Sequence, residues 1–265
     1  MKSETHNELL KLQEAEYNIL VEFKRICNKH SLTYYLDSGT LLGAIRHGGF
    51  IPWDDDIDVT MPLKDYLQFN KIAKEELPDY YYLQNYQTDE EYSMSFTKIV
   101  DLKTKIFIDN NSFKEYLGPW IDIFPLFHVS GENEYKIDKV LLKLSNVTQV
   151  KKRLKEESET FNRRLGKATT FFLNTFSLLP VTLRQRTHSF LLWLLFHSFS
   201  QKYLVYSYLY MSTYVPSEWF GNQKRYMLFV NEEFCVPLYT EEYLHKLYGN
   251  YMELPPLEER HGHLL

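Results

Sequence analysis

The stretch "HGGFIPWDDDIDVTMP", His47 to Pro62, decides how the rest of the chain is read. Asp54, Asp55, Asp56 and Asp58 follow the Gly48-Gly49 pair, and beyond them acids alternate with Ile57 and Val59. Alternation at period two makes "DIDVTM" a strand with Asp56 and Asp58 on one face and Ile57 and Val59 on the other. Pro62 ends it. Carboxylates at i and i+2 of a strand point the same way, about 7 Å apart. On a half-buried face two ionised acids repel and are poorly solvated. A divalent cation between them removes the conflict, and hard Mg²⁺ takes oxygen ligands while leaving positions for substrate phosphates. A solvated acidic turn with a polar strand face is the plain alternative for so short a pattern.

Outward from this strand, both sides alternate helix and strand. Asn7 to His30 carries apolar residues at helical spacing (Leu9, Leu12, Tyr17, Leu20, Phe23, Ile26, Cys27), an amphipathic helix. "LTYYL", Leu32 to Leu36, reads as a short strand closed by Asp37-Ser38-Gly39. A helix from Thr40 stops at Gly48-Gly49. Downstream, Lys64 to Glu76 is a second amphipathic helix with Tyr66, Phe69, Ile72 and Ala73 inward. Strand-like runs follow at Tyr80–Tyr86, Tyr92–Val100, Lys105–Ile108 and Pro119–Phe127. The spacing therefore predicts an α+β or α/β core.

From Glu132 to about Tyr210 the pattern reads as helices. Lys139 to Lys202 holds twelve Lys/Arg against three Glu, in a protein of net charge -5. After Pro216 strands return, and "EEYLHKLYGNYMELPP" reads as a closing helix stopped by Pro255-Pro256. The division expected is a core over 1–130, a helical, basic and aromatic insertion over 131–215, and a C-terminal segment over 216–265 that returns to the core.

Composition narrows the function classes. The 265 residues are 44% hydrophobic and 25% charged, enough to bury a core. A net negative charge argues against a dedicated nucleic-acid binder. Cys27 and Cys235 form no disulfide framework and no zinc knuckle, which fits a reducing compartment. A polar start, Met1 to Leu10, gives no secretory signal. The longest apolar cluster, "FLLWLLFHSF" (Phe190 to Phe199), is about half of what a membrane span needs. A cytoplasmic location is expected. The cationic, aromatic insertion also suits peripheral contact with anionic lipid, against the alternative of a helical lid whose Phe and Leu form a core.

Three features count against a merely solvated acidic turn. Asp122 is a lone acid in the apolar run "PWIDIFPLF", and a lone buried carboxylate needs a partner. "DSGT", Asp37 to Thr40, sets small residues at a helix start, where backbone N–H groups and the helix dipole favour anions. The order strand, glycine turn, helix, acidic strand lets turn and acids face one crevice. This layout resembles the nucleotidyltransferase superfamily. "LDSGTLLGAIRHGGFIPWDDDIDVTMP" more narrowly resembles the LicD family, whose vertebrate relatives include fukutin and fukutin-related protein. "TKIVD", "WIDIFPL" and "LYGNYMELPPLEERHGH" match in the same order.

The resemblance implies a nucleotidyltransferase-like mixed sheet flanked by helices. It also implies transfer of a phospho-substituent from a donor such as CDP-choline to a cell-surface glycan or its lipid-linked precursor. Carried over by position, Asp56 and Asp58 are metal-binding acids. Asp122 is the third acid, either a metal ligand or the base for the acceptor proton. Asp54 is an additional motif acid that positions the acceptor or holds water. Ser38, Gly39 and Thr40 would cradle phosphate; Arg46 and Lys98 could reach the donor, and His47 is a weaker candidate. Asp55, in the opposite strand phase, is left out. Trp53 and Trp120 could stack a base or choline, with core packing favoured for both. Arg260 and His263 match the end motif without an evident role. The expected cofactor is Mg²⁺, with Mn²⁺ as a substitute. No structural zinc is expected, because the cysteine cluster of fukutin-related protein has no counterpart here. The rival readings are a metal-dependent glycosyltransferase using a nucleotide-sugar and a non-catalytic glycan- or membrane-binding scaffold.

Overall fold

The computed structural model describes residues 3–85, 87–89, 92, 96–110, 113–129, 203–208, 211–221 and 223–262, with the single positions 183, 187 and 190. The helical insertion expected over 131–215, with its lipid-facing residues and the Phe190–Phe199 cluster, therefore lies mostly outside the described residues. The chain forms two compact units, one of residues 1–83, 97–125 and 218–265, the other of residues 84–96 and 126–217.

The first unit is α+β, as expected. Helix α1 (Ser3–Lys29) buries Leu9, Leu12, Ile19, Leu20, Phe23, Ile26 and Cys27 along one stripe. Strand β1 (Tyr35–Leu36) is shorter than "LTYYL" suggested. Helix α2 (Ser38–His47) begins two residues before Thr40, because the Asp37 side chain caps it by accepting from the Ser38 N–H. Strand β2 (Asp58–Pro62) begins at the last acid, so Asp54, Asp55 and Asp56 lie in the turn ahead of it. Helix α3 (Leu63–Glu76) buries Leu63, Tyr66, Phe69 and Ala73, while Ile72 is only half-buried. Phe23 ties α1 to α3, its ring 5.0 Å from Phe69 and 5.1 Å from Tyr34.

Strands β3 (Tyr81–Gln84) and β4 (Thr97–Asp101) are trimmed versions of the predicted runs. Strands β5 (Ile106–Asn110) and β6 (Phe113–Leu117) pair as a hairpin, of which only the first strand was expected. Strand β7 (Trp120–Val129) completes a mixed sheet of order β1-β2-β7-β4-β3, flanked by helices. β1 and β2 are antiparallel, as are β4 and β7. Asp122 N–H donates to Ile57 O (2.8 Å) and Thr60 Oγ1 to Phe124 O (3.2 Å), contacts that advance in the same sense along β2 and β7. Ile121, Ile123, Phe124 and Leu126 are all buried, so β7 is covered on both faces and lacks the one-sided alternation of a surface strand.

In the second unit the last residues of β7, Leu126 to Val129, pair with β8 (Tyr203–Tyr208), which forms a hairpin with β9 (Met211–Pro216). Residues 203–208 and 211–215 thus correct the helical expectation where they fall within the insertion. "YLVYSY" is aromatic and β-branched, and its strand preference was masked by the Phe/Leu/Trp-rich run before it. Pro125, which has no N–H to give a ladder, sits where β7 ceases to pair with β4 and begins to pair with β8.

The C-terminal segment rejoins the first unit. A 3-10 turn at Ser217–Phe220 leads to the hairpin β10 (Arg225–Phe229) and β11 (Glu232–Val236), then to α4 (Thr240–Tyr248). Helix α4 ends at Gly249, not at Pro255-Pro256 as predicted. Tyr35 Oη donates to Phe220 O (2.8 Å), and Phe220 stacks edge-on against both Tyr35 and Tyr243. Val230 N–H donates to Gly48 O (2.8 Å), pinning the hairpin turn to the end of α2.

Gly43 is a tight point of this packing: a Cβ there would collide with the Gly49 carbonyl oxygen. Gly43→Ala is expected to cost about 1–3 kcal/mol by overpacking, read as a lower urea midpoint at unchanged slope.

Candidate functional site

The acids converge because strand register brings them together. Asp122 N–H bonds to Ile57 O, and Ile57 is the residue between Asp56 and Asp58. The third acid therefore stands beside the pair. Asp58 N–H donates to Thr40 Oγ1 (2.9 Å), which fastens the start of β2 to the first turn of α2. Asp56 and Asp58 are half-buried while Ile57 and Val59 are wholly buried, so the predicted alternation survives even though Asp56 precedes the strand.

Among the described residues, Asp54, Asp55 and Asp56 group their carboxylates, with ligand atoms within 4.8 Å of one another. Asp55 was expected in the opposite phase and left out of the site. It is fully buried, in phase with Ile57 and Val59, and its carboxylate abuts Gly262 of the C-terminal segment so closely that a side chain there would collide with it. Burial thus keeps period two through this residue, while the turn preceding β2 draws its carboxylate toward those of its neighbours. Asp54 lies over the N-terminal turn of α2, where a Cβ on Gly39 would meet its Oδ2 at 2.7 Å.

The small-residue turn is partly occupied. Ser38, in the left-handed region at φ 47°, gives its N–H to Asp37 Oδ1 (2.7 Å), and the Thr40 hydroxyl accepts from Asp58. Asp37 is fully buried; its Oδ1 also accepts from Tyr243 Oη of α4 (2.7 Å), and its Oδ2 has no partner among the described residues.

The basic candidates are engaged with protein groups. Lys98, whose Cα faces that of Asp122 across the β4–β7 ladder, pairs with Asp122 Oδ1 at 2.8 Å and lies 4.2 Å from the centre of the Trp120 ring. Arg46 donates to Tyr251 O (2.9 Å) and Glu253 O (3.3 Å), so its guanidinium holds the C-terminal segment. Arg260 lies 5.4 Å over Trp53, whose edge meets the His47 ring. Each candidate tryptophan is half-buried with a cation on its face. His263 lies outside the described residues.

Sequence reasoning missed Glu16, on α1, and Tyr243, on α4. Glu16 is 1% exposed and its Oε2 has no partner among the described residues. A Glu at helical spacing among Leu12, Ala15, Ile19 and Leu20 was the available signal.

Burial and mutual repulsion raise every shifted acid here. Desolvation, then Asp56 and Asp55 together with a hydrogen bond to Asp56, pushes Asp54 to about 8. Desolvation lifts Asp37 to about 6 against its two hydrogen bonds, and Asp122 to about 6 against Lys98. Glu16 and Asp58 are raised by desolvation and by the neighbouring aspartates.

The family described as LicD/FKTN/FKRP, nucleotidyltransferase domain, matches residues 31–152. The lipopolysaccharide cholinephosphotransferase LicD of Haemophilus influenzae is 33% identical over 93% of this chain and 92% of its own length. Ribitol 5-phosphate transferase FKRP of Homo sapiens is 56% identical over 32 residues, 12% of this chain and 6% of its own. An uncharacterised Rickettsia typhi protein is 39% identical over 56 residues, 21% of this chain and 18% of its own.

The five acids set a pH dependence. Their folded pKa values lie above the unfolded ones, so the fold binds these protons more tightly and loses stability as rising pH removes them. In chelator, the melting temperature is expected to climb as pH falls from about 8 to about 5, the window between the Asp54 value and an ordinary carboxylate. His47, lowered by desolvation and Arg46, opposes this below 6.5 as one exposed ring. Glu76 and Glu241, lowered by their basic partners, lose stabilisation only below the window. Differential scanning fluorimetry across that range checks the sign.

Proposed function

Because this chain belongs to the LicD family, we propose that it transfers a phospho-substituent from a CDP-activated donor to a glycan hydroxyl. The group transferred is phosphocholine or a similar polyol or sugar phosphate. The reading rests on one observation above the others: Asp122 is hydrogen-bonded through its backbone to the residue between Asp56 and Asp58.

The residues suit a hard divalent cation, Mg²⁺ or Mn²⁺. The donor set is all carboxylate oxygen, and the buried Oε2 of Glu16 lacks a hydrogen-bond partner among the described residues. Asp56, Asp58 and Asp122 would hold the ion, which when bound neutralises the charge that grows on the phosphoryl oxygens. The protein's other contributions are positioning and charge. The first turn of α2 offers Gly39 and Thr40 at a helix N-terminus, where donor phosphate is favoured. Asp54 now stands over that turn and would turn toward the acceptor as phosphate takes its place. In the transfer, the acceptor oxygen bonds to the donor's distal phosphorus, the phosphoanhydride bond breaks and CMP leaves. The acceptor proton passes to water, or to Asp122 where that residue serves as the base in place of a metal ligand. Arg46 fastens the C-terminal segment beside this site.

Among the described residues no helix is long and apolar enough to cross a membrane. The proposal places the protein in the cytoplasm, meeting a lipid-linked acceptor peripherally.

Incubation with CDP-choline, CDP-glycerol, CDP-ribitol and UDP-sugars, with divalent cation and glycan acceptor, tests the reading. CMP release with one CDP donor is expected; UDP release in its place identifies a glycosyltransferase. Asp56→Asn and Asp58→Asn are each expected to lower turnover roughly 100-fold or more, with melting temperatures at or above wild type because a buried charge is removed. Full activity in either variant refutes the assignment.

A further inference from the structure

Glu16 enters the site from a different element. Helix α1 lies under the acidic turn and is fixed there by Gln13, whose Nε2 donates to Asp54 O (2.8 Å) and Ile51 O (3.5 Å). Glu16 is three residues further on, on the same helical face. Around it Leu12, Ala15, Ile19 and Leu20 are buried, so an apolar residue at this position would extend the stripe that packs α1. A carboxylate stands there, 1% exposed, with Oε2 lacking any hydrogen-bond partner among the described residues. It feels Asp56 most strongly among the neighbouring charges, then Asp55, Asp54 and Asp122.

Each of these features is costly by itself. A buried acid is desolvated, an unpartnered oxygen forfeits its hydrogen bond with water, and four nearby acids repel it. A cation beside Asp56 offsets all three.

We propose that Glu16 of α1 turns its carboxylate to the divalent cation at the acidic turn, as a ligand or through the ion's bound water. The inference rests on the cation-dependent reading above. Asp58 and Asp122 would hold the ion from the sheet, Asp56 from the turn before it and Glu16 from the helix, which Gln13 ties to that turn.

The test is a Mn²⁺ titration of donor-free protein, read from the electron paramagnetic resonance signal of the free ion. It compares wild type, Glu16→Gln and Glu14→Gln. Glu14 is exposed on the same helix, so its substitution removes equal charge from outside the site. Glu16→Gln is expected to bind Mn²⁺ about tenfold or more weakly, and to melt higher than wild type in chelator. Glu14→Gln is expected to match wild type. Unchanged Mn²⁺ affinity in Glu16→Gln overturns the proposal and leaves the cation reading standing, since Gln replaces a packing or hydrogen-bonding role but not a ligating charge. Equal weakening in Glu14→Gln overturns it in favour of diffuse helix charge. Failure of Glu16→Gln to fold in chelator also overturns it, because the neutral isostere of a carboxylate kept for a cation must relieve the metal-free fold. No Mn²⁺ binding by wild type removes the cation reading itself.

Discussion

Like charges buried together must be held by bonds that do not depend on the charges, and in this protein the backbone supplies them. The Asp122 N–H to Ile57 carbonyl bond fixes β7 against the start of β2. Thr40 Oγ1 fixes the same point to α2. Main-chain and hydroxyl groups thus bear the repulsion among Asp54, Asp56, Asp58 and Asp122, with Lys98 paired to Asp122 as the cation beside them. Gln13 reaches the turn from below through carbonyl oxygens, and Tyr243 reaches Asp37 from the C-terminal helix through a hydroxyl. Helix α1, helix α2 and strand β7 meet at one acidic turn through hydrogen bonds to backbone and hydroxyl groups that are indifferent to whether the acids are ionised, while the Tyr243 bond favours ionised Asp37.

The closing segment belongs to the same construction. Arg46 grips the Tyr251 and Glu253 carbonyls, Arg260 lies on Trp53, and Gly262 leaves room for the Asp55 carboxylate. The end motif, whose role was not evident from its residues, runs past the acids and is held there. Arg46 shows how a basic residue near a phosphate site can serve by position. Its charge lies near Asp54 and Arg260, while its Nη1 is committed to the chain that covers the turn.

Much of this was legible from local pattern. Helices α1 and α3 followed from apolar spacing and α2 from its Gly48-Gly49 stop, and Asp56, Asp58 and Asp122 were recognisable as acids in apolar company. The misreadings fell where period or composition is ambiguous. Asp55 keeps the burial phase of Ile57 and Val59, but the turn before β2 brings its carboxylate near those of Asp54 and Asp56. Residues 203–216 are rich in aromatic and β-branched side chains that suit a strand, but they follow a run that suits a helix. Helix α4 stops at Gly249 because a glycine outside the helix ends it before the prolines do.

By itself the sequence determined the types of the main core elements, the alternation around Asp56 and Asp58, and the family, because helical and strand periods and motif spacing are written within a few residues of each other. Only the tertiary structure decided which distant groups share the site. Glu16 looks like any charged residue of a long helix until α1 is packed beneath the turn, and Lys98 looks solvated until β4 pairs with β7. Burial and charge coupling arise between residues that the chain brings together only when it folds, and those two quantities separate a site residue from a surface one.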